Sequence, residues 1–531
     1  MLPTCGSSYY CPIKDIIFKR IRISRWAKGL FMPNMPNNTQ QETQKGQQET
    51  PASPMHDYTV LRGPGEEGRL KTFNEFAASH PVEEVVAAYA KLGWDEAGDT
   101  YCSLAKAQVL QVPQTRIKTI GVYHYTMGVG GVERVTAWLA NLWVSMGYAV
   151  VLFTDKGMGE CAFELPEGIV RVEIPESFSV RKDTYAKRAQ AIAQAIREYQ
   201  IDAFVYQQWW NPLLIWDMML IKLLKVPFLL FNHAPFKVFF SEAHPWEFEQ
   251  SRVLRYTDGL VVLSAHDKRF WQRWTPRVWQ TFNPVTIEPD LARCSALTSQ
   301  EILWVGRLSG FDKQPGEALE IFARVREQLP GVHLTLVGDA SNKTEYAKLQ
   351  VQVKRLGIED AVTFAGSKKD VRPFYENASV LLVTSPSESW CLVLAEAMAC
   401  GLPSVMYEIP KLALVQNNES IAAVPQGNRA AAAQAIVELL NNSELRQARG
   451  QAGYEYISQV ANFDFKAFWS AIFEQLEKGS PVREGYDAID EDWDTVIAGM
   501  QESLAKATTL PVLSYVKRKS LKTIRKLRER S

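Results

Sequence analysis

An α/β fold of two successive domains, each a parallel sheet wrapped by helices, is predicted by three observations. Short apolar, β-branched runs alternate with amphipathic helical patterns from Arg116, and the alternation restarts at Glu301 after a break near Asn283-Pro284-Val285. Several of these runs end in polar or aromatic residues, as strand ends lining a cleft do. The 531 residues, 46% of them hydrophobic, suffice for two cores with material left over.

The segments before Arg116 read as attachments. Residues 9–32, YYCPIKDIIFKRIRISRWAKGLFM, mix Ile, Phe and Trp with six basic residues and one acid. A secretory signal has an unbroken apolar core; charge interrupts this one, which leaves a membrane-surface segment or a solvated arm. Residues 33–56, rich in Pro, Asn, Gln and Thr, read as a linker, so 1–56 form an arm ahead of a helical extension over 57–112. There apolar positions recur at helical spacing from Leu70 to Ala97, with Ser79 and Pro81 at a helix start and Gly93 at an end.

Lys+Arg and Asp+Glu both number 59, so no basic excess points to nucleic acid, and none is expected as a partner. Seven cysteines show neither a C-x-x-C pair nor a His at zinc spacing, which suggests no metal site and a reducing, cytoplasmic compartment. No apolar run reaches about 18 residues, so no membrane-spanning helix is expected.

The first domain is placed at 113–285. RIKTIGVYHY is a strand, and MGVGGVERVTAWLANLWVSMGYAVVLFTD supplies a glycine turn, an amphipathic helix and a second strand. Gly128-Val-Gly130-Gly131-Val-Glu133 lets backbone approach a ligand and aims a helix N-terminus at it. The third glycine of a dinucleotide fingerprint is missing, and a glycine loop alone also makes a plain tight turn. IDAFVYQQWW, PFLLFNHAP and DGLVVLSAHDKRFW are the next strands. His233 stands just past one of them, where a histidine is either structural or meets a substrate hydroxyl. Trp209 and Trp210 either stack on sugar or pack the core.

The second domain is placed at 286–460. EILWVGRLSGFDKQPGEALEIFARV is a strand, a turn bearing Arg307 and Lys313, and a helix. Two cations after a strand end suit a diphosphate, Arg as a fork and Lys as a point charge; exposed loop charges are the plain alternative. VHLTLVGDAS lacks the second glycine of a P-loop. ASVLLVTSP then leads into SPSESWCLVLAEAMACGLPSV, a buried strand, a turn and a helix stopped by Gly401-Leu-Pro403. Glu388 is expected at the helix start and Glu396 two turns along, seven residues between them. Residues 461–478, ANFDFKAFWSAIFEQLEK, form an aromatic-rich helix. The remainder to 531 holds Asp490-Glu-Asp492, with no strand before it, and a basic amphipathic tail.

Together these residues resemble the retaining glycosyltransferases of family 4, which have the GT-B fold. The resemblance covers about residues 115–478. It rests on Gly130-Gly131-Val-Glu133, Asn232-His233, Val305-Gly-Arg-Leu308 with Lys313, Leu336-Val-Gly338-Asp339, and Glu388 with Glu396. It implies two Rossmann-like domains facing across a cleft, with a helix at 461–480 crossing back to the first. A nucleotide-sugar donor would lie mainly on the second domain. Glu396 would hold the ribose hydroxyls, Glu388 the donor sugar, and Arg307 and Lys313 the diphosphate. Gly130 and Gly131 would lie near the phosphates, and His233 would face sugar and acceptor. No metal or other cofactor is implied. Where the family commonly has E-G-F-G, this chain has Glu388-Ser389-Trp390-Cys391, whose side chains narrow the approach to the sugar.

The expected activity is thus a retaining, metal-independent hexosyltransferase acting on a glycan or lipid-linked acceptor, with the basic ends meeting an anionic membrane surface. A sugar-nucleotide epimerase and a non-catalytic nucleotide-sugar scaffold are the alternatives; the scaffold would show loss of Arg307, Lys313 or a Glu.

Overall fold

The computed structural model describes residues 61–155, 161–175, 185–236, 245–310, 312–340, 342–409, 412–416 and 418–481. The arm at 1–56, the pair Asp490 and Asp492, and the basic tail lie outside the described residues. Among those described, no helix is long and apolar enough to cross a membrane.

The extension is three helices, Gly65–Ala77, Val82–Ala90 and Trp94–Lys106. Pro81 caps the second as expected, but Gly93 begins a third helix rather than ending the run. The second helix is buried from Val85 to Ala90, which joins the extension to the core of the first sheet. Trp94 Nε1–H donates to the Pro212 carbonyl at 2.8 Å, and Arg197 forks onto Glu83 at 2.9 and 2.8 Å.

The first sheet contains β1 (Thr119–Tyr123), β2 (Ala149–Asp155), β3 (Val170–Ile174), β4 (Ala203–Tyr206), β5 (Phe228–Phe231), β6 (Gly259–Val262) and β7 (Val278–Gln280). The second contains β8 (Glu301–Val305), β9 (His333–Val337), β10 (Val362–Gly366), β11 (Val380–Val383), β12 (Ser404–Tyr407) and β13 (Ile421–Val424). Every named strand pairing is parallel, in the orders β3-β2-β1-β4-β5-β6-β7 and β10-β9-β8-β11-β12-β13. Parallel strands must be covered on both faces, and β4, β5, β6, β11 and β12 are accordingly buried at every residue. Each order reverses direction once, between β1 and β4 and between β8 and β11. Loops part at such switch points and leave a crevice outside the strands' carboxyl ends.

The helix Phe465–Glu477 carries the chain back from the second domain to the first. Asp464 caps it, accepting from Ala467 N–H at 2.9 Å. Its buried face holds Phe465, Trp469, Ile472, Phe473 and Leu476. Trp469 meets Trp143 edge-on at 5.0 Å, and the Glu477 carboxylate accepts from Ile117 N–H at 2.9 Å.

Beneath the first switch point lies a buried charged network. Arg188 donates to Asp155 at 2.7 Å and through Nε and Nη2 to Asp217, with Nη2 2.7 Å from Oδ2. Tyr206 donates to Asp217 at 2.8 Å, and Tyr123 to Asp155 at 3.1 Å. Burial pushes the Asp155 carboxyl up while Arg188 opposes it. One guanidinium thus serves two carboxylates in the floor of the crevice.

Candidate active site

At the second switch point, β8 runs into Gly306-Arg307 and a turn that ends at Pro315, the first residue of the helix Pro315–Gln328. Gly338, past β9, has φ +141°, and a Cβ on it would stand 1.9 Å from the Gly306 carbonyl oxygen. Only glycine lets the two strand ends approach this closely. Thr384, past β11, donates to the Lys313 carbonyl at 2.8 Å and accepts from Trp304 Nε1–H at 2.9 Å, so both turns are tied together.

Lys313 Nζ is thereby brought 2.5 Å from Glu388 Oε1. Burial would lower the Lys313 ammonium, but the Glu388 carboxylate, together with Cys391 and Asp312, holds it above the ordinary lysine value. Arg307 behaves differently: its side chain is 68% exposed and donates to Asp312 at 2.7 Å. Burial raises the Tyr125 phenol of the first domain, and the Arg307 charge opposes it. The two cations share one turn, one directed at Glu388 and the other outward.

Glu388 is not at the helix start. The helix spans Leu392–Ala399, leaving Glu388 in the preceding turn and placing Glu396 about one turn in, not two. The cause is Cys391, whose φ of +66° delays helical backbone by its left-handed conformation. Glycine is at ease there and cysteine is strained. Trp390 is buried and packs on Phe282 at 5.2 Å between ring centres. Ser389 Oγ–H donates across the cleft to the His233 carbonyl at 2.5 Å.

Glu396 is 3% exposed. Its Oε1 accepts from Arg134 Nη1 at 2.6 Å and Thr286 Oγ1 at 2.7 Å, and its Oε2 from the Tyr375 hydroxyl at 2.7 Å. Arg134 belongs to the first domain.

In the first domain, Gly130 is extended and the helix Gly131–Ser145 begins at the next residue. A Cβ on Gly131 would lie 3.1 Å from Leu392 Cδ1, so the N-termini of helices Gly131–Ser145 and Leu392–Ala399 meet here. Their free N–H groups supply positive potential to one place. His233 follows β5, its ring tilted against Phe231 at 4.1 Å between centres, and its Nε2 lies 2.8 Å from Gln207 Oε1. Its Nδ1 is buried and meets no hydrogen-bond partner among the described residues. Trp209 packs against the core while Trp210 is 39% exposed.

Burial, reinforced by His124, pushes His233 down from 6.5 to about 3. The imidazole is therefore neutral at physiological pH and suits hydrogen bonding rather than proton transfer. Because the folded value is the lower one, the unfolded chain binds the extra proton between these values, and stability falls as pH drops through that window. His233→Gln is expected to flatten the loss of urea resistance between pH 7 and pH 4. An unchanged slope would contradict the buried neutral imidazole.

The structure thus gathers Gly130, Gly131, His233, Arg307, Lys313, Glu388, Ser389, Trp390, Cys391 and Glu396 around one cleft. It adds Arg134, Thr286 and Tyr375 on Glu396, and Gln207 and His124 beside His233. Among the described residues no group of three His, Cys, Asp or Glu is arranged to hold a metal ion.

Comparison with known proteins identifies relatives on both sides of the cleft. A family model described as Glycosyltransferase Family 4 matches residues 129–284, and one described as Glycosyl transferases group 1 matches residues 299–442, together over half of the chain. An uncharacterized glycosyltransferase of Haemophilus influenzae is 27% identical over 340 residues, 62% of this chain and 92% of that protein. The Campylobacter jejuni GalNAc-alpha-(1->4)-GalNAc-alpha-(1->3)-diNAcBac-PP-undecaprenol alpha-1,4-N-acetyl-D-galactosaminyltransferase is 28% identical over 336 residues, 61% of this chain and 89% of that protein. Sucrose-phosphate synthase from Thermosynechococcus elongatus superposes with TM-score 0.55 at 20% identity, covering 68% of this chain and 97% of that one. Anabaena HepE in complex with UDP does so with TM-score 0.55 at 17% identity, covering 68% and 99%. Both structural likenesses are of fold.

Proposed function

The chain belongs to the family 4, group 1 glycosyltransferases, and on that premise we propose that it moves a sugar from a nucleotide donor to a glycan or lipid-linked acceptor with retention. The observation that carries this reading is Lys313 2.5 Å from Glu388 at the second switch point, in a segment where Ser389 meets the His233 carbonyl and Leu392 meets Gly131 of the first domain. A relative named for a PP-undecaprenol-linked acceptor supports the acceptor class.

The chemistry follows from charge. Breaking the anomeric C–O bond leaves a nucleoside diphosphate that gains negative charge in the transition state. Lys313, Arg307 and the two helix N-termini supply positive potential where that charge develops. Glu388 offers a carboxylate to donor sugar hydroxyls while keeping Lys313 charged. His233 Nδ1, neutral and unpaired, accepts a hydroxyl of sugar or acceptor. The acceptor attacks on the face from which the diphosphate leaves, and the leaving phosphate takes its proton. The protein's own cations do the work a divalent ion does elsewhere.

Release of nucleoside diphosphate from one member of a nucleotide-sugar panel, given a short polyprenyl-diphosphate glycan, tests the reading. Turnover is expected to survive EDTA. No turnover with any donor would overturn the function, and loss with EDTA restored by Mg²⁺ or Mn²⁺ would overturn the metal-free part. The setting proposed is a cytoplasmic enzyme held at an anionic membrane by its basic tail. Deleting 511–531 should abolish binding to anionic vesicles and spare transfer to a soluble acceptor; unchanged vesicle binding contradicts this.

A further inference from the structure

A ribose diol offers two hydroxyl donors, and Glu396 has little room for both. A carboxylate has about four lone-pair positions. Arg134 and Thr286 occupy Oε1 and Tyr375 occupies Oε2, on a side chain only 4% exposed. At least one present partner must leave before the diol can bind, and the three differ in freedom. Tyr375 is fully buried on the helix Arg372–Asn377, beside Glu396 in the second domain. Thr286 lies in the connection between domains and also accepts from Arg134 at 3.3 Å. Arg134 is 23% exposed and comes from the first domain. Its guanidinium carbon also lies 5.4 Å from the centre of the Phe163 ring, a second place for it to rest.

We propose that Arg134 and the donor's ribose compete for Glu396, so that nucleotide binding breaks a tie between the domains and nucleotide release remakes it. This rests on reading Glu396 as the ribose acceptor. Two hydroxyls replace the two donors on Oε1, so the carboxylate keeps its number of hydrogen bonds and loses only the ion pair. The nucleotide therefore displaces Arg134 without leaving the buried carboxylate short of hydrogen bonds. Because the pair spans the cleft, each binding event changes how firmly the domains are held at this point. Arg134 is then a positioning residue: it acts on the nucleotide through Glu396.

Calorimetric titration of the full chain with uridine diphosphate and its 2′,3′-dideoxy analogue tests this. The wild type should prefer the diphosphate with its diol intact. Arg134→Gln should bind uridine diphosphate about three- to tenfold more tightly, the worth of one partly exposed ion pair, with the dideoxy analogue little changed. Thr286→Val, which removes the other donor on Oε1, should act in the same direction and serves if Arg134→Gln does not fold. Equal or weaker binding of uridine diphosphate by both variants, with wild-type discrimination intact, overturns the competition. Equal wild-type affinity for both ligands would instead show that Glu396 does not hold the ribose, and the proposal falls with that reading.

Discussion

Lys313→Ala is expected to lower kcat by about 100- to 1000-fold, the usual cost of removing one preorganised donor from a developing anion, or about 3–4 kcal/mol of barrier. The ammonium is fixed by Glu388 at 2.5 Å, and its turn is held by Thr384 and by the close approach of Gly338 to Gly306. It does not have to be recruited when the diphosphate leaves. Arg307→Ala should cost less, because that side chain is 68% exposed and already pairs with Asp312. Losing Lys313 also leaves Glu388 without its cation, so thermal melting must accompany the kinetics. A folded Lys313→Ala that turns over near the wild-type rate removes the diphosphate assignment.

Arg188→Ala should destabilise the first domain by about 3–5 kcal/mol, the cost of breaking a buried ion pair from one side. Asp155 and Asp217 would be left facing each other's surroundings with only tyrosine hydroxyls as donors, in a region where Arg188 is 1% exposed. Urea unfolding measures this, and a midpoint unchanged from the wild type would contradict it. Since the network lies under the β1/β4 switch point, the variant should also lose activity through distortion of the crevice floor.

The strands were legible because parallel sheets bury both faces, and runs such as LVV and VLLV have no other comfortable environment. The cleft was legible in outline because strand ends carry its residues. The third extension helix was not, because Gly93 reads as an end. Gly98 lies inside this helix and packs against Glu249, whose Oε2 would stand 1.9 Å from a Cβ there, a tertiary contact with no local trace. The start of the Leu392 helix was misplaced for a similar cause, since nothing in the spacing announces a left-handed Cys391. The partners of Glu396 stayed hidden because Arg134 is 262 positions away and sits among ordinary helix charges. Arg188 likewise reads as a solvated helix residue until three strand ends converge on it.

Thermal shift across a donor panel shows whether this cleft holds a nucleotide sugar against Lys313 and Glu388. Ligand at about 100 times its dissociation constant stabilises the native state by about 2.7 kcal/mol, enough to raise the melting temperature by several degrees. At least one nucleotide sugar should do so in the wild type, and Lys313→Ala and Glu388→Gln should blunt the shift. No shift with any donor, or the same shift in both variants, would contradict that binding.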